Sequence, residues 1–188
     1  MARLSIFVTS DTHFGHDRAF LWGPRGFQSS LEHDETIIAN WNSVVGPEDD
    51  VYVLGDLMLG NNEHGLECLK RLNGHIHIIF GNHDTPTRIE LYKALPNVTI
   101  EGWATMLHYR KYHFYMSHFP TNTANLEAES LHKCTLNLFG HTHSKQEFRD
   151  DIPMYYNVAL DAHDNTPVLL DDIIESMKVK VSECLSYL

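Results

Sequence analysis

Eight residues of this 188-residue chain combine reactive side chains with suggestive spacing: Asp11, His13, Asp56, Asn82, His83, His118, His141 and His143. They offer carboxylates, an amide and imidazoles, and no thiolate. Such donors suit borderline divalent cations (Mn, Fe, Co, Ni or Zn) better than the all-oxygen sites of Mg or Ca. Eight residues exceed the needs of one four-coordinate ion. A shared carboxylate would let the set hold two ions about 3.5–4 Å apart, the arrangement used for in-line displacement at phosphorus. The stretch NLFGHTHS at 137–144 shows how the donors are delivered. If the backbone there continues a strand, His141 and His143 face the same way and project into one pocket, and Gly140 permits a sharp turn.

Elements must carry these residues to one place, and the apolar pattern supplies them. Strand-like runs at 3–9 (RLSIFVT), 51–54 (VYVL), 75–80 (HIHIIF), 112–116 (YHFYM) and 136–139 (LNLF) each hand over to Asp, Asn or His. Ligands of α/β sheets bind beyond the carboxyl ends of strands, so five such tips can meet on one edge. Helical spacing of Ile37, Ile38, Trp41, Val44 and Val45 predicts a helix over 30–45. Ser29 or Ser30 would cap it, acidic residues would fill its first turn and Gly46-Pro47 would end it. Shorter helices are expected at 63–72 and 87–95, and a last one at 171–179. Alternation of strand and helix to about residue 95 implies βαβ units. Strands at 98–101, 104–109, 112–116, 136–139, 155–160 and 168–170 then suit hairpins in a mixed sheet. No repeat or linker interrupts the pattern, so a single domain over 1–188 is expected.

Composition narrows the function classes. No run approaches the roughly 20 apolar residues of a membrane helix, and the N-terminus lacks the features of a signal peptide. The cysteines, Cys68, Cys134 and Cys184, are odd in number and far apart. That argues against a disulfide framework or cysteine-rich zinc site and suits a cytoplasmic setting. A formal net charge of −11 disfavours tight duplex nucleic-acid binding, which rests on Lys and Arg against phosphates. It leaves a phosphate-bearing substrate open, because bound cations can supply the local positive charge.

Taken in order, the motifs D-x-H (11–13), G-D (55–56), G-N-H-D (81–84), a strand-end His118 and G-H-x-H (140–143) resemble the calcineurin-like metallophosphoesterase superfamily. The stretch S-D-T-H-F-G-H at 10–16 is similar to its small bacterial and phage-type phosphohydrolases. The resemblance implies an α/β fold of two mixed β-sheets packed as a sandwich and flanked by helices. It also implies a dinuclear metal-dependent phosphoric ester hydrolase, with Mn the favoured metal. Asp11, His13 and His143 would bind one ion, Asn82, His118 and His141 the other, and Asp56 would bridge them. His83 would contact the phosphate and protonate the leaving group, with Asp84 orienting it. Phosphodiesters, nucleotides or short single-stranded nucleic acid are the expected substrates. A phosphomonoesterase and a non-catalytic metal-binding scaffold of the same fold are the alternatives.

Other residues carry weaker expectations. His16 is a possible substrate contact. His75 and His77 alternate with Ile76 and Ile78, as on the polar face of a strand, and His64 reads as a solvated loop or cap residue. Arg25 either reaches a phosphate or lies on the surface, and Trp41 and Trp103 read as packing residues. His33, His108, His113, His132 and His163 belong to no motif. The polar segment 119–133 is a loop or short helix that could cover the site.

Overall fold

A computed structural model describes residues 4–121, 123 and 130–186 of the chain. Four strands, β1 (Ile6–Thr9), β2 (Asp50–Leu54), β3 (His75–Ile79) and β4 (Val98–Gly102), run parallel in the order β4-β3-β2-β1. Three helices lie in their crossovers: α2 (Ser30–Val44), α3 (Asn62–Leu69) and α4 (Pro86–Lys93). A short α1 (Ala19–Trp22) precedes α2. The second sheet starts with the antiparallel hairpin β5 (Ala104–Tyr109) and β6 (Tyr112–Ser117). To it are added, in parallel, β7 (Thr135–Phe139) and β8 (Tyr155–Asn157). The chain then returns to the first sheet as β9 (Val168–Leu169), antiparallel to β1, and closes with α5 (Leu170–Ser186). This is the α/β sandwich of two mixed sheets.

Strand alternation explains the layers, since neighbouring side chains point to opposite faces. Phe7, Val51, Val53, Ile76 and Ile78 meet Ile37, Ile38, Trp41, Leu69 and Tyr92 of the helices. Val8, Leu54 and Ile79 point the other way, into a core with Phe114, Met116, Leu136, Leu138 and Tyr156 of the second sheet. A sheet buried on both faces needs such continuous apolar runs. Ser29 caps α2 by accepting the Glu32 N–H at 3.1 Å. Pro86 opens α4 behind a Thr85 cap.

Several expectations change in detail. The last helix runs to Ser186 rather than ending at 179. MKVKV at 177–181 reads as period-two alternation, yet Met177 and Val181 pack on the core while Val179 faces solvent. The strand expected at 155–160 ends at Asn157, whose side-chain N–H₂ donates to the Ser144 and Gln146 carbonyls at 3.0 Å each. Trp41 is buried and donates to the Asn73 carbonyl, but Trp103 is 64% exposed at the edge of Phe80. His75 and His77 bond Thr99 and Glu101 from the partly open face of β3. Residues 122 and 124–129, on which a cover at 119–133 would depend, lie outside the described residues. Among the described residues no helix is long and apolar enough to cross a membrane.

Candidate metal centre

The loops after β1, β2, β3, β6 and β7 converge, and seven side-chain donors meet in two groups. In the first, Asp11 Oδ1 lies 3.7 Å from both His13 Nε2 and His143 Nε2, and the two nitrogens are 3.3 Å apart. In the second, His118 Nε2 lies 3.0 Å from Asn82 Oδ1 and 3.1 Å from His141 Nδ1. Asp56 Oδ2 stands within reach of both groups, 3.9 Å from His13 Nε2 and 3.5 Å from His118 Nε2. His141 and His143, neighbours in an H-x-H motif, thus serve different groups.

Five of these seven residues are left-handed at the backbone: Asp11 (φ 61°), His13 (48°), Asp56 (58°), His141 (68°) and His143 (48°). Such conformations cost of order 1–3 kcal/mol each and cluster where a site over-determines them. His141 and His143 therefore do not continue a strand, as the sequence had suggested. Gly140 has a different use as well, for it is not among the left-handed residues. A Cβ there would collide with the Ser10 hydroxyl and the Asp11 carboxylate, so glycine lets two site loops touch. Gly140→Ala should cost about 1–3 kcal/mol by overpacking and displace Asp11. A lowered urea midpoint together with weakened Mn²⁺ affinity would show this; unchanged values would refute the close-approach argument.

Hydrogen bonds leave specific atoms uncommitted. Asp11 Oδ2 accepts from Ser10 Oγ at 2.5 Å and from the His141 N–H at 2.9 Å. Asp11 Oδ1 is buried and has no hydrogen-bond partner among the described residues. His118 Nδ1 donates to the Leu54 carbonyl at 2.7 Å, and His143 Nδ1 donates to Asp161 Oδ2 at 2.9 Å. In the neutral rings each Nε2 then bears a lone pair, and both lone pairs face other acceptors. Burial, helped by Arg25 and the neighbouring histidines, holds His13 well below the usual imidazole range. Burial likewise pushes the Asp56 carboxyl up, partly offset by His118 and the His83 N–H.

His83 stands beside both groups. Its side chain is 42% exposed, with Nε2 4.0 Å from Asp56 Oδ2, while its N–H donates to Asp56 Oδ1 at 2.8 Å. Asp84 does not orient its ring. The Asp84 carboxylate accepts the N–H groups of Asp56 and Gly81, each at 2.8 Å, and the Tyr92 hydroxyl at 2.7 Å. Buried polar groups are hydrogen-bonded, and here the donors are backbone groups of the loops after β2 and β3 and a side chain of α4, so Asp84 ties those loops together. His16 lies near the centre, its ring 6.3 Å from that of His13 and edge-on to Phe20.

Three residues escaped the sequence reading. Arg25 is neither a phosphate contact nor a surface residue: its side chain is 1% exposed. It forks Asp161 through Nε at 3.0 Å and Nη2 at 2.7 Å, and Nη2 also donates to the Asp11 carbonyl at 2.8 Å. Asp161 sits on the turn Leu160–Ala162, far from any motif. Asp34, which reads as an acidic residue of a helix's first turn, is fully buried. It accepts from Gly15 N, His33 Nδ1 and His64 Nε2 at 3.0, 2.7 and 2.9 Å. His64 is accordingly tied to the interior and not a freely solvated cap. Asp34 lies three, four and seven residues before Ile37, Ile38 and Trp41, on the buried face of α2, so helical spacing could have marked its burial. Its partners Gly15 and His64, however, are brought to it only by folding.

A family profile described as "Calcineurin-like phosphoesterase superfamily domain" matches residues 4–159. The chain belongs to this superfamily. This calcineurin-like phosphoesterase is 32% identical over 185 residues to an uncharacterized protein of Methanocaldococcus jannaschii, covering 93% of this chain and 92% of the other. It is 29% identical over 209 residues to the Gene 66 protein of Mycobacterium phage D29, covering 92% and 99% respectively. A solved structure of a protein of unknown function from Aquifex aeolicus shares its fold, with a TM-score of 0.70 at 22% identity. The match covers 92% of this chain and 99% of that one.

Proposed function

We propose that this chain is a dinuclear metal-dependent phosphoesterase that favours phosphodiesters or nucleotides over monoesters. The observation that carries the proposal is the confrontation of acceptors around Asp56. The lone pair on His118 Nε2 faces Asn82 Oδ1, and that on His143 Nε2 faces Asp11 Oδ1, an oxygen with no hydrogen-bond donor among the described residues. Buried acceptors turned on one another are costly unless a proton or cation lies between them. The donor set therefore fits borderline divalent cations, and the family resemblance favours Mn among them.

Asp11, His13 and His143 would hold one ion and Asn82, His118 and His141 the other, with Asp56 Oδ2 shared. Such ions lower the pKa of water and stabilise charge on a phosphoryl group when bound. The chain's own residues do the rest. Asn82 contributes an oxygen without negative charge, which leaves more positive field for an anionic substrate. His83, exposed beside Asp56, can reach a leaving-group oxygen and give it a proton. Its loop is held by Asp84 from inside and by Arg88, which donates to the His83 carbonyl at 2.5 Å. Next to His141 opens a cavity of about 390 Å³, bordered by Pro120, Thr142, Ser144, Gln146, Phe148 and Arg149. Hydrogen-bonding groups beside an aromatic ring suit an organic group larger than a proton on the second phosphate oxygen. Nucleotides or short single strands fit this description, and the net charge of −11 argues against duplexes.

With Mn²⁺ supplied, kcat/KM for bis(p-nitrophenyl) phosphate should exceed that for p-nitrophenyl phosphate, which has the same leaving group. A clear preference for the monoester would instead establish the phosphomonoesterase reading.

A further inference from the structure

We propose that Asp161 is a positioning residue: clamped by Arg25, it fixes the ring of His143 so that Nε2 faces the first metal group. The inference rests on the metal-binding reading above and adds to it a residue that lies in none of the family motifs.

The geometry forms a continuous chain of fixed donors and acceptors. His33 Nδ1 donates to Asp34 Oδ1, so His33 Nε2 is an acceptor, and Arg25 Nη1 donates to it at 2.9 Å. The remaining face of the guanidinium is spent on both oxygens of Asp161 and on the Asp11 carbonyl. A forked pair fixes orientation as well as distance. Asp161 Oδ2 can then meet His143 in one geometry, accepting the Nδ1 proton at 2.9 Å. Donation at Nδ1 sets the tautomer and turns the lone pair of Nε2 inward. The backbone reinforces this placement. Ala159 bridges to Ser10, and the Leu160 N–H donates to the Ser10 carbonyl, so the turn bearing Asp161 is stitched to the loop bearing Asp11. His143 needs such help more than His13 and His118 do, for its side chain is 37% exposed whereas theirs are nearly fully buried.

The test is Mn²⁺ binding by calorimetry and metal analysis on wild type, Asp161→Asn, His143→Ala and the double variant. Wild type should bind two equivalents. Asp161→Asn should weaken one of the two sites about 10–100-fold, leave the other unmoved, and add little in the His143→Ala background. A residue that acts only through His143 must show that non-additivity. Arg25→Lys keeps the charge but loses the fork, so it should show a smaller selective loss at the same site with less risk to folding. Ile173→Val, remote in the inter-sheet core, should lower the unfolding midpoint without moving either affinity. If wild type binds two ions and Asp161→Asn changes neither affinity, or weakens both equally, the positioning role is overturned. If wild type never exceeds one equivalent at saturating metal, the dinuclear reading itself falls.

Discussion

His83→Ala is expected to lower kcat by roughly 10²–10⁴ for alkoxide and nucleoside leaving groups, the range typical of general acid–base catalysis, while binding both metal ions at wild-type affinity. The ring sits outside both donor groups, 4.0 Å from Asp56 Oδ2 and 42% exposed, where a substrate oxygen can approach it. Its N–H to Asp56 belongs to the backbone and survives the substitution. p-Nitrophenolate departs readily without a proton, so the loss should shrink for p-nitrophenyl esters. Parallel measurement of metal content and of kcat across leaving groups separates three outcomes. An equal defect for good and poor leaving groups would assign His83 to phosphate binding. Loss of one ion would make it a ligand. Only the leaving-group dependence with intact metal supports the acid.

Asp56→Asn should lower kcat/KM by about 10³ or more and weaken both metal sites together. Lewis-acid stabilisation is worth several kcal/mol, and each 1.36 kcal/mol is a factor of ten. Asn keeps the shape of the side chain and an oxygen for the His83 N–H, so the loop should fold as before. What it removes is the negative charge that stands 3.5 Å from His118 Nε2 and 3.9 Å from His13 Nε2. Burial already works against that charge, with Asp11 and Asp84 repelling it. Without metal, the variant should therefore unfold at a urea midpoint no lower than that of wild type. His143→Ala offers the contrast, because it should weaken one site only. Retention of two equivalents at wild-type affinity in Asp56→Asn would sink the bridging role.

Much of this molecule is legible along the chain because its determinants are local. Apolar runs of four to seven residues handing over to Asp, Asn or His mark β1, β2, β3, β6 and β7, since strands packed in a core leave polar chemistry chiefly to their tips. Helical spacing and the Ser29 cap mark α2 for the same reason. The seven donors announced themselves as short motifs, and the structure brings all seven together. Local pattern blurred the end of α5, expected at 179, where MKVKV fits both periods and packing of Met177 and Val181 on the inter-sheet core carries the helix on to Ser186.

What the motifs could not show was the environment of each group. Asp84 stands next to His83 in sequence, yet its carboxylate serves the backbone N–H groups of Asp56 and Gly81 and the hydroxyl of Tyr92, all brought to it by folding. Arg25 resembles any loop arginine until Asp161, 136 residues away, closes over it. The use of Gly140 depends on Ser10 and Asp11 lying against it, a contact between loops of different sheets. Sequence order determines which atoms can coordinate or donate. Whether a lone pair meets a proton, another lone pair or solvent depends on neighbours that only the closing of the two sheets supplies.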